Sequence, residues 1–309
     1  MKTQIVNFLL EYQNKDGSWG FSPGKAGAIE PTAYALMSLI EEAGAREAIE
    51  RSVMFLRKTQ TPRGAWAVST QDSEDAAWAT ALAGIALLEF RECQRVCRTA
   101  AEFVISSFEK HPRPWILRVA DWMRSFDGSY VEENLRGWKW TPETANWVEP
   151  TSYAVLFLKK FLQSSASSSS PQASSRDINP VIAEAESLLY QRMCKEGGWN
   201  YGNARVLGEE LRPYPLTTAI TLIALQDLSG PDCKKSLGYL QREVPHERSA
   251  LALCMAVLCF NLYGVQAEPW MRAAAALYDE ARFFHNIKTS ALALMAIQSL
   301  NGNNAFRIA

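Results

Sequence analysis

FLRKTQTPRGAWAVSTQDSEDAA, residues 55–77, is the stretch whose reading decides the fold. Its first half sets Phe55-Leu56, Gln60 and Gly64-Ala65-Trp66 in a frame already used by Phe8-Leu9, Gln13 and Gly17-Ser18-Trp19. A looser copy follows at Leu188-Leu189, Met193 and Gly197-Gly198-Trp199, with Met where Gln stood. Self-similarity at a period of tens of residues marks units that cannot bury a hydrophobic face alone and must stack to share a core. The second half of the stretch carries Asp72, Glu74 and Asp75, three carboxylates in four residues ahead of an apolar run.

Outward from this stretch, two kinds of helix alternate about every 40–55 residues. One is amphipathic and charged, as in 46–59, with Arg46, Glu47, Glu50, Arg51, Arg57 and Lys58. The other is small and apolar nearly all round, as expected of a helix buried on most sides. It opens at Glu30-Pro31-Thr32, near Glu74, at Glu149-Pro150-Thr151 and at Pro215, with Pro where the first turn tolerates it. The first amphipathic helix is expected to run from Ile5 toward Asp16-Gly17, and the second apolar one from about Glu74 to Phe90. Further helices are expected at 232–242, 249–262, 269–282 and 289–300. No run shows period-2 alternation between turn signals, so no strands are expected. Roughly six helix pairs can close on themselves. The fold expected is all-α: one alpha-alpha toroid over residues 1–309, an inner ring of apolar helices inside an outer ring. Residues 164–175, SSASSSSPQASS, are low in complexity and read as a flexible surface loop.

Every loop bearing a Trp motif runs from an outer helix to an inner one, so 17–30, 63–73, 137–149 and 197–215 gather at one end. That end collects Glu30, Glu149, Trp138, Trp140, Trp147, Tyr201, Tyr214, Phe21 and the acidic run. Tyr34, Trp78 and Tyr153, near inner-helix starts, are candidates to line a cavity. An aromatic mouth over an apolar well suits an isoprenoid, and aromatic faces stabilise carbocations through their quadrupole.

Lys and Arg number 32 against 33 Asp and Glu, which excludes the basic footprint of a nucleic-acid binder. The six scattered Cys read as free thiols in a reducing cytoplasm. The most apolar stretch, 250–260, is too short for a membrane span. A peripheral membrane contact or a second subunit stays open.

The frame Phe-Leu-x3-Gln-x3-Gly-x-Trp at 8–19 and 55–66, degraded at 188–199, resembles the repeat of squalene–hopene and oxidosqualene cyclases. A related repeat occurs in protein prenyltransferase beta subunits. The resemblance implies an alpha-alpha toroid in which Gln13, Trp19, Gln60, Trp66 and Trp199 are structural ties. It also implies chemistry. Class II terpenoid cyclases carry Asp-x-Asp-Asp soon after a Gly-x-Trp, and its middle Asp donates the proton that starts cyclisation. Asp72-Ser73-Glu74-Asp75 stands in that place, with Glu74 where the family has Asp. Glu74 is then the donor candidate, with Asp72 and Asp75 tuning it. Neighbouring carboxylates raise one another's pKa in a low-dielectric cavity, whereas the plainer role of such residues is to cap a helix start. The function expected is a class II terpenoid cyclase-like protein acting on a polyprenyl substrate, with no cofactor. The alternatives are a non-catalytic isoprenoid- or lipid-binding toroid, a protein-interaction toroid, and a zinc-dependent prenyltransferase-like enzyme. For the last, His246, Glu247 and His285 are sparse material, and no metal site is expected.

Overall fold

The indole N–H of each motif Trp donates to a carbonyl in the last turn of an outer helix. The computed structural model describes residues 1–110, 136–141, 144–166 and 175–308. Trp19 Nε1 reaches Leu9 O at 2.8 Å, and Trp66 Nε1 reaches Leu56 O at 2.9 Å. Trp138 reaches Val104 O at 2.8 Å, and Trp199 reaches Leu189 O. The last four carbonyls of an α-helix have no partner of their own. One of them is satisfied here by a ring that is itself buried. The Trp138 tie reveals a repeat that the spacing conceals: its outer helix ends near Val104, and the chain between holds the described end of an insertion.

Each Trp is fixed from the other side by a threonine of the following inner helix. The backbone N–H groups of Trp19, Trp66, Trp138 and Trp199 donate to the hydroxyls of Thr32, Thr80, Thr151 and Thr218 at 2.9–3.1 Å. Outer helix, Trp and inner helix are thus held as one unit. Neighbouring units are joined by Gln: Gln13 Nε2 donates to Gly17 O, Ala48 O and Ser52 Oγ, and Gln60 Nε2 to Gly64 O, Val96 O and Thr99 Oγ1. Where Met193 replaces Gln, Ser236 takes over part of the work, accepting from the Gly198 N–H at 2.8 Å.

Among the described residues the helices are α1 (Lys2–Glu11), α2 (Ile29–Leu39), α3 (Arg46–Thr59), α4 (Ala77–Leu87), α5 (Gln94–Ser106) and α6 (Val148–Ala166). They continue with α7 (Ser175–Gln191), α8 (Pro215–Ala224), α9 (Pro231–Glu243), α10 (Ala250–Leu262), α11 (Glu268–Ala281) and α12 (Ile287–Ser299). The even-numbered helices pack side by side in order, and α12 returns to α2, which closes an inner ring. Each odd-numbered helix from α3 to α11 packs outside the inner helix before it, and α1 outside α12. The structure is the alpha-alpha toroid that the repeats imply. Inner helices approach closely because they are built of small residues: a Cβ on Gly84 of α4 would lie 2.3 Å from the Phe157 ring of α6.

Several boundaries differ from expectation. The first helix ends at Glu11 rather than near Asp16, where the Trp19 indole takes the Leu9 carbonyl of its last turn. α4 starts at Ala77, so the acidic run lies in the loop before it and not on its first turn. Two short antiparallel pairs occur where no strand was expected, β1 (Glu109–Lys110) with β2 (Arg136–Gly137), and β3 (Arg205–Val206) with β4 (Glu209–Glu210). The second is a hairpin whose turn, Leu207-Gly208, has φ of 52° and 87°, the all-positive pattern of a two-residue hairpin turn. Of the loop expected at 164–175, residues 164–166 continue α6 and Ser175 opens α7; 167–174 lie outside the described residues. Pro112 and Pro114, which interrupt the helical pattern of the sequence between 92 and 126, also lie outside them.

The loops preceding the inner helices do meet at one end. Ile29 N donates to Val68 O, Trp78 Nε1 to Trp140 O, Val148 N to Tyr201 O and Ile287 N to Phe21 O. The opposite end is closed by the C-terminal segment, where Gln226 and Lys160 hold the carbonyls of Phe306 and Ala305, and Phe306 rises edge-on to Tyr34.

Gly64 carries a sharp test of the repeat. Its φ is +84°, and a Cβ there would lie 2.4 Å from the Thr99 carbonyl oxygen. Gly64→Ala is expected to lower unfolding free energy by more than about 2 kcal/mol in chemical denaturation, from strain and overpacking together. Gly44→Ala, at a position with open space around it, is expected to change it by less than about 0.5 kcal/mol.

Candidate functional site

The acidic run sits in the mouth loop that joins α3 to α4. A turn at 69–72 holds Asp72, whose carboxylate accepts from Ser69 Oγ at 2.7 Å. Asp72 and Glu74 are both exposed. Asp75 is different: it pairs in a single antiparallel bridge with Ala67, which turns its side chain inward. Its Oδ2 lies 3.4 Å from Arg63 Nη1, and its Oδ1 is buried without a hydrogen-bond partner. Neither Asp72 nor Asp75 is helical, so neither caps the start of α4 from its first turn. The packed low-dielectric cluster expected of a shared-proton set is absent at Asp72 and Glu74, because their loop leaves them in water.

Asp75 and Glu74 line a cavity of about 320 Å³ between the start of α4, the end of α5 and the loop after β2. Its other walls include Phe103, Trp138, Trp140 and Arg63. Trp140 meets Trp78 edge to face, with ring centroids 4.9 Å apart. Trp78 therefore braces this cavity's wall.

A second constellation lies within the ring. Glu30 and Glu149, in the first turns of α2 and α6, are each only 7% exposed. Lys288 of α12 pairs with Glu30 at 2.6 Å and lies 5.8 Å from the Tyr34 ring centroid. One turn deeper, the Tyr34 and Tyr153 hydroxyls meet at 3.0 Å, and Tyr153 also reaches Glu149 Oε1 at 3.3 Å. Two carboxyls thus share one ammonium in a buried layer. Burial pushes the Glu149 carboxyl above its ordinary range; Lys288 opposes this, Glu30 adds to it and the Tyr153 hydroxyl opposes it. Burial, followed by the nearby carboxylates, likewise raises Tyr34 well above the usual phenol range, and burial and its neighbours do the same for Tyr153. Sequence spacing gave no sign of Lys288, although it stands two residues before a small buried residue, Ser290, as Glu30 and Glu149 stand two before Thr32 and Thr151.

Trp147, Tyr201 and Tyr214 belong to neither group. They line a separate cavity of about 450 Å³ between the starts of α6 and α8. The residues expected to form one mouth therefore divide among three places. A further cavity of about 630 Å³, reached by no sequence expectation, opens beside the starts of α10 and α12. Its rim includes Phe283 and Phe284, within a run from Arg282 to His285 in which every φ is positive. His285, considered above as a metal ligand, stacks on Phe8 at 5.8 Å. Among the described residues, no group of three or more His, Cys, Asp or Glu is arranged to hold a metal ion, and no helix is long and apolar enough to cross a membrane.

No family model matches the chain. A 65-residue stretch, 21% of the chain, is 37% identical to a drimenyl diphosphate synthase from Streptantibioticus cattleyicolor. An alignment over 72 residues is 38% identical to protostadienol synthase A from Arthroderma gypseum and covers 19% of the chain. These segments span only 12% and 10% of the relatives' own lengths. Among solved structures, an α-amylase from Clostridium perfringens matches with a TM-score of 0.62 at 10% identity, over 97% of this chain and 98% of that one. An α-1,6-mannanase from Salegentibacter matches at 0.60 and 12%, over 97% and 98%. The type II terpene cyclase MstE from Scytonema, as a variant in complex with its substrate geranylgeranyl dihydroxybenzoate, matches at 0.59 and 15%, over 100% and 98%. At such identities the structural likeness is one of fold. Local sequence and overall fold together support the resemblance to the terpenoid cyclase-like superfamily.

The buried layer gives a pH dependence. The folded chain holds the Glu149 proton more tightly than the unfolded chain does. This carboxyl therefore contributes stability that is fully present below about pH 4.5, its unperturbed value, and is lost as pH rises through the raised folded value. Glu149→Gln cannot ionise. Its melting temperature is expected to gain on that of the unaltered protein as pH is raised from about 4 to about 8. A constant difference across that range would show that Glu149 does not titrate abnormally.

Proposed function

We propose that this chain is a terpenoid cyclase-like protein that admits an isoprenoid at the toroid mouth and starts ring closure by protonation, with Asp75 as the acid. The observation that carries the reading is the buried, unpartnered Oδ1 of Asp75 in an aromatic-walled cavity. A carboxylic acid there can pass its proton to an alkene carbon. The O–H bond breaks, a C–H bond forms from the π pair, and a carbocation is left on the neighbouring carbon. The rings of Trp138 and Trp140 line the same space, where their faces favour a passing cation. Arg63, beside Oδ2, stabilises the carboxylate that the transfer leaves. The cascade ends when the final cation gives up a proton to solvent or a base. Glu74, at the rim, becomes a residue that shapes the entrance, and Asp72 one that holds its turn. Tyr34, Tyr153, Glu30 and Glu149 form the layer within the ring that braces this mouth. The cavity volume falls at the lower end of the range for small-molecule sites, which suits a short prenyl chain or one end of a longer one.

A second reading is favoured by the exposure of Asp72 and Glu74: a toroid that binds isoprenoids without converting them. Incubating the purified protein with a panel of linear isoprenoids and their diphosphates, then analysing the extract by mass spectrometry, separates the two. Cyclised product is expected, lowered by about 10²-fold or more in Asp75→Asn, the scale of a lost general acid, and by only a few-fold in Glu74→Gln. Product that survives Asp75→Asn would remove Asp75 as the acid. Isoprenoid that co-purifies and is returned unchanged would establish the binding reading.

A further inference from the structure

The Asp75 cavity is open on one side and walled on the other. Arg63 and Glu74, both exposed, stand at its rim. Its inner wall is Trp140, and against that ring lies Trp78, only 6% exposed. The two rings meet edge to face at 72°, and the Trp78 indole N–H donates to the Trp140 carbonyl at 3.2 Å. Edge-on ring pairs attract beyond the area that they cover. The chain beside Trp140 is fixed as well. Trp138 is tied to Val104 and to Thr151, and Lys139 pairs with Asn146 in a single antiparallel bridge.

Trp78 also stands at a telling place in the ring. It is the second residue of α4, as Glu30 is of α2, Glu149 of α6 and Lys288 of α12. Because α4 packs between α2 and α6, equal register sets Trp78 at the level of the buried charged layer. An indole thus replaces charge on the one inner helix that borders the Asp75 cavity. A chain entering past the rim meets Trp140, backed by Trp78, before it can reach the carboxyls of that layer.

We propose that Trp140, held by Trp78, sets the length of isoprenoid that the Asp75 cavity accepts. The inference rests on the isoprenoid reading of this cavity, whether or not the chain is converted there. Affinity for a linear isoprenoid rises with each methylene taken out of water. Once the chain meets the wall, a further unit either stays in water or overpacks the rings. The residue that ends the cavity therefore fixes the chain length at which affinity stops rising.

Equilibrium dialysis of the whole chain against geraniol, farnesol and geranylgeraniol, each one isoprene unit longer than the last, tests this. Affinity is expected to fall by about 10-fold at one step of the series, against the trend of hydrophobic burial. In Trp140→Ala the fall is expected to move to a longer chain or to leave the series. Trp140→Phe, which keeps a ring, is expected to hold it in place. Trp140→Leu, a milder loss of bulk for the case in which the Ala variant does not fold, is expected to reduce the fall. Tyr214→Ala, in the wall of the separate cavity, is expected to leave the series unaltered. Asp75→Asn removes the acid and not the wall, so a fall that persists there supports the inference even where no cyclised product forms. A series that rises without a break, or a break that neither Trp140→Ala nor Trp140→Leu alters, would overturn the inference and leave the isoprenoid reading standing. Binding of none of the three alcohols would overturn both.

Discussion

The structure depends on one repeated hydrogen bond, the buried indole N–H that caps an outer helix. A helix end inside a protein must find partners for its carbonyls, and water is excluded from this one. Supplying the donor from a Trp further along the chain does two things together. It stops the outer helix and fixes where the loop begins its return. The adjoining Gly then follows from geometry: at Gly17, Gly64 and Gly197 the backbone is left-handed and lies against a carbonyl of the next outer helix, leaving no room for a Cβ. Trp, Gly and the threonine that receives the Trp backbone N–H are a single device, and Gln couples one such device to the next.

Repeating that device fixes the polarity of the ring. Every unit returns in the same sense, so the inner helices point one way and their N-termini gather at one end. Helix N-termini carry partial positive charge, which suits the two buried carboxyls of α2 and α6. Even so, one ammonium serves both, and burial outweighs it at Glu149. The far end is filled by the C-terminal segment around Phe306. Among the described residues, cavities open at the mouth, between loops of unequal length.

The fold was legible in the sequence to the extent that the device is local. Trp19 and Trp66 lie ten residues beyond the carbonyls they cap, so their copies could be seen by eye. The copy at Trp138 lies 34 residues beyond Val104, and no spacing announced it. Thr32 and Thr80 stood in plain view, yet a buried threonine carries no distinctive pattern until its acceptor role is known. The mouth was legible as a place but not as an arrangement. Tyr201, Tyr214 and Trp147 were gathered with Glu30 and Asp75 because their loops share an end of the toroid. Which cavity each lines is set by hairpin geometry and by the Ala67–Asp75 bridge, neither of which leaves a periodic trace. The same bridge explains why a helical reading of the acidic run misplaced its side chains.

That bridge also sets where the two carboxylates stand. Pairing with Ala67 leaves Asp75 mostly enclosed, while Glu74, in the wall of the same cavity, stays exposed. Exposure separates them too: Glu74 is open to solvent, while the partly enclosed Asp75 has Arg63 and the surrounding rings beside it and one oxygen without a partner. The position matching the family's proton donor and the position with a buried, unpartnered carboxylate oxygen are adjacent in sequence and line one cavity.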